Sequence, residues 1–431
     1  MRKLLCGIVF MWGALAACGG GGNSTTTNQP AGGTTTVTGT AATGKPIANA
    51  TITLRDGSGN TKTATSDANG KYTLDVSGLT PPYLLKVTTA GGTLYGVATQ
   101  TGTANLHQFT NLIIRNWYKA QGKDLDTEYV KSGAVSVPTK TEVDTIEAAI
   151  RQIIGTWLQA KGVDITSFSL LNSAFDANGS GFDSVLDVLK VNISSGTMTI
   201  VPVDPTTGVQ ADPISTLPDS ASLSASQLDA AKDGINQTLT SWKNTINSKG
   251  TGIAVADLLP LYAGATTYLN GGLTVSADIA DTISSGNHPG TITTATVKEI
   301  VNYDAVSKVV TANITLNTAN WGAVTHPLYF IYDSVSQKWL FYGDQRIAHV
   351  KALIGNGIVT LSVYDPTQSV TGATVSGPGL VGTQVLTYSN TNGQFRLTIN
   401  FSPAALSVYT FTLTKSGGSS ATYKVIASSQ S

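Results

Sequence analysis

Between residues 36 and 100, apolar and polar positions alternate with the two-residue period of half-buried strands. Ile47, Ala50, Ile52 and Leu54 run into Asp56-Gly57-Ser58-Gly59, and Tyr72, Leu74 and Val76 follow the hairpin pair Asn69-Gly70. Residues 83–87 and 94–97 flank Gly91-Gly92 as two more strands. The pattern predicts a small antiparallel β-sandwich over 36–100. The period then changes. Leu106, Phe109, Leu112, Ile113 and Trp117 share one helical face, and Val143, Ile146, Ile150, Ile153 and Trp157 share another, behind a capping box at Thr139-Lys140-Thr141-Glu142. Two β runs, 188–193 and 197–203, close this helical region of 101–204. Residues 205–222 carry Pro205, Pro213 and Pro218 with little apolar content, and read as a linker. An amphipathic helix follows with Leu228, Ile235, Leu239, Trp242 and Ile246 inward, then strands at 296–303, 309–316, 328–332 and 339–342. Residues 223–349 are therefore α+β, and 350–431 are again β.

The last segment repeats the first. Ala373-Thr374-Val375 answers Ala50-Thr51-Ile52 at a shift of 373 − 50 = 323 positions, and the same shift lays SNTNGQFRLTI on SDANGKYTLDV. Both ends are expected to follow one sandwich plan. The residues Val37, Gly39, Gly44-Lys45-Pro46-Ile47, Ala50-Thr51-Ile52, Ser66-Asp67, Asn69-Gly70 and Tyr72 resemble the carboxypeptidase regulatory-like, or transthyretin-like, β-sandwich family over about sixty residues. That resemblance implies an accessory module of bacterial surface proteins and carries no enzymatic claim. The C-terminal copy lacks the Gly-x-Pro step and has Asn390 where the first copy has Asp67. In the 223–349 segment, Leu258, Leu261, Tyr268, Leu269, Gly271, Trp339, Gly343, Asp344 and Gln345 resemble the cone-shaped nuclear-transport-factor-like fold, which implies an apolar pocket inside a curved sheet.

The first residues, MRKLLCGIVFMWGALAAC, join a basic start to an apolar run too short to span a bilayer, as in an export signal of residues 1–17. Leu15-Ala16-Ala17-Cys18 resembles the bacterial lipobox. The resemblance implies cleavage before Cys18, acylation of that residue with a palmitate-type chain, and a protein held on the bacterial outer membrane, on its periplasmic or cell-surface face. Several acyl chains on one residue anchor stably, at about 0.8 kcal/mol per buried CH₂. Residues 18–35, rich in Gly and Thr, read as a tether. With only Cys6 and Cys18 present, an exported chain has no disulfide and depends on its apolar cores. Charged residues make up 12% of the chain and balance to zero, which argues against nucleic acid as a partner, since that requires basic patches.

Gly39, Gly44 and Lys45 have the spacing of a phosphate-binding P-loop, but a working loop needs Ser or Thr after the lysine and a helix to present its N–H groups. Residue 46 is proline and a strand pattern follows, so no nucleotide is expected. The stretch FDANGSGFDSVLD places Asp176, Asn178, Ser180, Gly181 and Asp187 at positions 1, 3, 5, 6 and 12 of a calcium loop. Against it, Asp183 stands where an apolar residue belongs, and Ser180-Gly181-Phe182-Asp183 reads as a capping box opening a helix. Four histidines, at 107, 288, 326 and 349, have no zinc-motif spacing; His107 on a helix, and His288 and His326 in loops before prolines, are each expected to be solvated or satisfied. No Gly-x-Ser-x-Gly elbow occurs. Asp304 with Asp333, or Asp278 with Asp281, could form a glycosidase-type pair, although turn and helix-surface roles explain them better. Trp117 and Trp157 read as core, and Tyr83, Tyr95 and Tyr423 are candidates for stacking on carbohydrate.

Together these readings predict a multidomain, β-rich chain in which two small antiparallel β-sandwiches flank a helical region and an α+β cone-like domain. The expected function is a non-enzymatic, lipid-anchored envelope protein in adhesion, surface structure or ligand binding, its partner a membrane plus a carbohydrate, peptide or protein ligand. The rival is a hydrolase- or isomerase-like enzyme with its pocket in 223–349. A cavity holding two convergent titratable groups would favour that rival, and a filled cone would remove it.

Overall fold

The structure is a computed structural model describing residues 35–194, 196–218, 222–403 and 406–429. The chain is β-rich, with five separate sheets among the described residues. Near the start, a four-stranded antiparallel sheet runs Thr61–Thr65, Thr51–Asp56, Tyr83–Thr89, Gly92–Ala98. It faces a three-stranded sheet of Lys71–Asp75, Thr36–Thr40 and Gly102–Thr103. Alternate residues Ile52, Leu54, Tyr72, Leu74, Leu85 and Val87 turn inward to one shared core. Asp67 fixes the hairpin by accepting the N–H groups of Asn69 and Lys71, and Gly70 takes the positive φ of 75°. The Gly44-Lys45 stretch is a turn. Pro46 bridges back to Ala42, and the next regular element is a strand, not a helix.

The other face of the four-stranded sheet is also covered. Leu84, Tyr95 and Val97 share a second core with Phe109, Leu112 and Ile113 of the helix Gln108–Ala120, Val143, Ile146 and Ile150 of Lys140–Ile153, and Phe182, Val185 and Leu186 of Gly181–Val188. A strand buried on both faces reads as nearly continuous apolar sequence, and Tyr83-Leu84-Leu85 is the local trace of this layering. Thr139 and Glu142 form the reciprocal cap expected of them.

The sheet behind the middle of the chain differs from expectation. It has seven strands in the order Lys338–Phe341, Gly322–Asp333, Val309–Thr318, Ile292–Asp304, Ser215–Pro218, Thr197–Pro202, Leu189–Ser194. Ser215–Pro218, inside the stretch expected to be a linker, pairs antiparallel with Thr197–Pro202 and parallel with Ile292–Asp304. The hairpin expected to close the helical region therefore continues the sheet of the following segment. A four-residue strand set among prolines has too few apolar side chains to show a period of its own. Ser215 and Leu217 are buried by their neighbours on either side. Three register shifts in Ile292–Asp304 bend the sheet around the helix Ala225–Lys249, which buries Ile235, Leu239, Trp242 and Ile246 against it. At Gly234 the helix comes so close to the Trp339 indole that a Cβ would stand 2.5 Å from the ring.

The C-terminal segment pairs a four-stranded sheet, Gln384–Val385, Val370–Ser376, Val408–Lys415, Ser420–Ile426, with a five-stranded one, Thr387–Ser389, Gln394–Asn400, Ile358–Tyr364, His349–Gly355, Ser428–Ser429. Its four-stranded sheet has the strand order of the first one, and Gln394–Asn400 occupies the place of Lys71–Asp75, as the sequence repeat implies. Two strands are added, Thr387–Ser389 at one edge and His349–Gly355, whose start faces the curved seven-stranded sheet across a cavity.

Candidate functional site

Most residues marked out by the sequence have local structural work. Cys18 lies outside the described residues. Asp176 pairs with Lys71 at 2.6 Å, and the Asn178 side chain accepts from the N–H and hydroxyl of Ser180. The Ser180 side chain does not cap the helix, and Asp183 accepts from the Gly179 N–H instead, so the expected capping box is not formed. The helix starts at Gly181, which puts Asp187 about 9 Å further along its axis. There Asp187 lies against Gly44, where a Cβ would stand 2.0 Å from its Oδ1. No group of three His, Cys, Asp or Glu side chains that could hold a metal occurs among the described residues. Asp304 and Asp333 each accept two backbone N–H groups in matching hairpin turns. Trp117 is buried and Trp157 half-buried in the helical core. Tyr83 and Tyr95 are fully buried and present no ring to a ligand, while the Tyr423 hydroxyl accepts the Ile347 N–H. His107 caps a helix and His288 bonds to Gly250 and Gly290.

Asp278, His326 and His349 are different, because all three line one cavity of about 720 Å³ between the curved sheet and the strand His349–Gly355. Asp278 and Asp281 do not act as a pair: Asp281 is exposed and holds Asn287, while Asp278 turns inward. His326 stands within the strand Gly322–Asp333 rather than in the loop expected from its proline neighbour.

Two short loops build the floor. Leu269-Asn270-Gly271-Gly272 and Gly343-Asp344-Gln345-Arg346 bond to each other through Gln345 N–H to Leu269 O at 2.9 Å and Gly272 N–H to Arg346 O at 2.8 Å. Gly343 needs its bare Cα, since at φ 78° a Cβ would lie 2.2 Å from Leu269 O. These are the Tyr-Leu-x-Gly-Gly and Gly-Asp-Gln stretches singled out in the sequence, and their docking aims the polar groups. Asp344 Oδ1 accepts the N–H groups of Gly271 and Arg346 at 2.8 and 2.9 Å, and its Oδ2 is 3.3 Å from His349 Nδ1. Asp278 accepts from the Tyr268 hydroxyl at 2.5 Å and from Asn270 Nδ2 at 3.0 Å.

Burial pushes the Asp278 carboxyl above the ordinary carboxylate range despite these two bonds, with Asp281 adding to the rise. Tyr268 is pushed up by burial and by the Asp278 charge. His326 is pushed down by desolvation, then by Lys351 and His349. The apolar wall is aromatic, with Tyr262 and Phe341 ring centroids 4.8 Å apart and Trp242 and Phe341 6.2 Å apart. The Trp242 indole N–H is buried without an acceptor in hydrogen-bonding geometry, although it lies near enough to the Tyr262 hydroxyl to influence its proton. Among the described residues lining the cavity, the hydroxyl groups are those of threonine and tyrosine, with no serine or cysteine nucleophile. The acidic, imidazole and phenol groups that line it can bind a ligand and transfer protons.

The cavity histidines were missed in the sequence because 23 positions and a change of sheet separate His326 from His349 (349 − 326 = 23). The two loop motifs and the apolar pocket expected in 223–349 hinted at the place.

No family model and no curated protein matches the chain. Among solved structures, one described as a Ca2+-stabilized adhesin that helps an Antarctic bacterium reach out and bind ice is similar at 13% identity, over 92% of this chain and 99% of that one, with a TM-score of 0.14. At that score the likeness carries no argument about fold or function.

Proposed function

We propose that this chain is an exported, lipid-anchored protein of the bacterial outer membrane that captures a small ligand, without catalysis, in the cavity beneath His349. In this reading two β-sandwiches flank a helical region and a cone-like α+β domain, and the first sandwich is an accessory module of the carboxypeptidase regulatory-like kind. The anchoring half rests on Leu15-Ala16-Ala17-Cys18 and the Gly/Thr-rich stretch after it. The observation that carries the capture half is a cavity of about 720 Å³, walled by aromatic rings and edged by a few polar groups, the usual make-up and size of a small-molecule site.

Two experiments test it. Growth on a palmitate analogue should label the wild type and leave Cys18→Ser unlabelled; an unlabelled wild type rejects the anchor. Native mass spectrometry or solvent extraction should recover a small molecule from the wild type, and Val324→Trp, which sets an indole at the cavity mouth, should carry less. Equal recovery from both rejects the site.

A second reading, an acid–base enzyme, is favoured by the convergence of titratable groups that was expected to mark it, since Asp278, Asp344, His326 and His349 line one cavity. Asp278 lies in the cavity with a raised carboxyl pKa, hydrogen-bonded to Tyr268, as a proton-transfer group would. The two readings part on the fate of the ligand. A captured molecule is recovered unchanged from both wild type and Asp278→Asn, whereas a substrate is converted by the wild type and survives only in the variant.

A further inference from the structure

We propose that the cavity is built for an amphiphilic organic anion, with its carboxylate-type head at the mouth between Lys351 and His326 and its apolar body along Trp321, Val324 and Phe341. This rests on the capture reading above and names the chemistry of what is captured.

The first argument is an inventory of donors and acceptors. The two carboxylates facing the cavity are already engaged: both oxygens of Asp278 are held by Tyr268 and Asn270, and both of Asp344 by Gly271, Arg346 and His349. Lys351 and His326, in contrast, line the mouth with no hydrogen bond or ion pair from any described residue, and Lys351 is exposed. What remains for a ligand is mostly donors, so the ligand must bring acceptors.

The second argument is electrostatic. Lys351 and His349 both oppose protonation of His326, and of these three basic groups only His349 has an anion beside it, Asp344 at 3.3 Å. An anion between Lys351 and His326 would relieve that repulsion and gain charge-assisted hydrogen bonds. A cationic ligand would add to it.

The third argument concerns the body of the ligand. Trp321 and Val324 are each 38% exposed beside the mouth, next to the aromatic wall. Apolar side chains left bare along a cavity wall gain about 25 cal/mol for every Å² a ligand covers.

The test uses the full chain carrying Cys18→Ser, which needs no detergent, and three probes with the same ten-carbon tail: decanoate, 1-decanol and decyltrimethylammonium. Calorimetric titration at pH 7 should find decanoate binding at least tenfold tighter than decanol, with the ammonium weakest. Lys351→Met, at an exposed position, should reduce the preference for decanoate over decanol at least fivefold and leave decanol affinity unchanged. Val324→Trp, with an indole where the apolar body would lie, should weaken binding of all three. Equal affinity for the three probes, or an unchanged preference in Lys351→Met, overturns the anion assignment while leaving capture in place. Failure of all three to bind the unsubstituted cavity overturns both.

Discussion

His107 offers the sharpest test of how the first two layers are joined. Its ring is fully buried at the start of the helix Gln108–Ala120, where Nδ1 accepts the N–H groups of Phe109 and Thr110 and Nε2 donates to the Leu170 carbonyl at 2.8 Å. An N-cap acceptor must keep its lone pair, so this imidazole must stay neutral. Burial lowers its pKa from 6.5 to about 4, partly opposed by the Leu170 bond. The sign follows from linkage. With the folded pKa below the unfolded one, the contribution is fully present above pH 6.5 and is lost as pH falls towards 4. A difference of 6.5 − 4, at ~1.4 kcal/mol per unit, puts the loss at roughly 3 kcal/mol over that window. Glu147, whose carboxyl accepts the Leu170 N–H and is raised by burial, runs the other way and becomes easier to keep folded as pH falls. The wild type alone is therefore ambiguous, and the informative quantity is its difference from His107→Asn. Asparagine keeps a capping acceptor and cannot titrate. Urea unfolding followed by tryptophan fluorescence should show His107→Asn less stable at pH 7.5 by about 1–2 kcal/mol, for the lost bond to Leu170. That gap should close or reverse by pH 4.5. If the two proteins lose stability in parallel, the neutral-cap account is refuted.

Three further outcomes follow from other contacts. Gly271→Ala should cost about 1–3 kcal/mol in thermal or chemical unfolding, because its φ is 54° and a Cβ would lie 2.1 Å from His349 Nε2. The same variant should shift the His349 ring resonances as the imidazole leaves Asp344, and unchanged resonances would show that the loop yields instead. Arg55→Met should cost about 2–4 kcal/mol, since the buried guanidinium donates to the carbonyls of Tyr129, Lys131 and Gly133 and so ties the first sheet to the turn after the helix Leu125–Val130. A stability change under 1 kcal/mol would deny that tie. Calorimetric titration with Ca2+ should give the same heat for wild type and Asp176→Ala, because Asp176 is occupied by Lys71 and Asp187 lies two turns along a helix. Saturable heat that appears only in the wild type would restore the calcium loop.

The parts of this fold legible in the sequence are those whose signal is local. Alternation in 36–100 and 350–431, the helical stripe ending at Trp117, the start of the stripe from Val143, the Thr139–Glu142 cap and the repeat of Asn-Gly hairpins each depend on residues a few positions apart. Period and turn chemistry are enough to predict such features. The stripe expected to reach Trp157, by contrast, ends at Ile153, and Trp157 stands in a separate short helix, Gly155–Ala160. The candidate site was legible as two loop motifs, Tyr-Leu-x-Gly-Gly and Gly-Asp-Gln, and as an expected apolar pocket in 223–349, with no sign of which polar groups meet there. Asp278 on its helix, His326 before a proline and Lys351 on a strand each look like ordinary surface residues. They become a site only when a bent sheet and the edge of the next unit bring them around one space. The same holds for Ser215–Pro218, which is a linker by composition and a strand by position. The secondary structure of the long periodic segments was set by the sequence itself, through the repeat distance of its apolar residues. Burial of short or polar segments was set by what packs beside them, and that is information a local pattern does not carry.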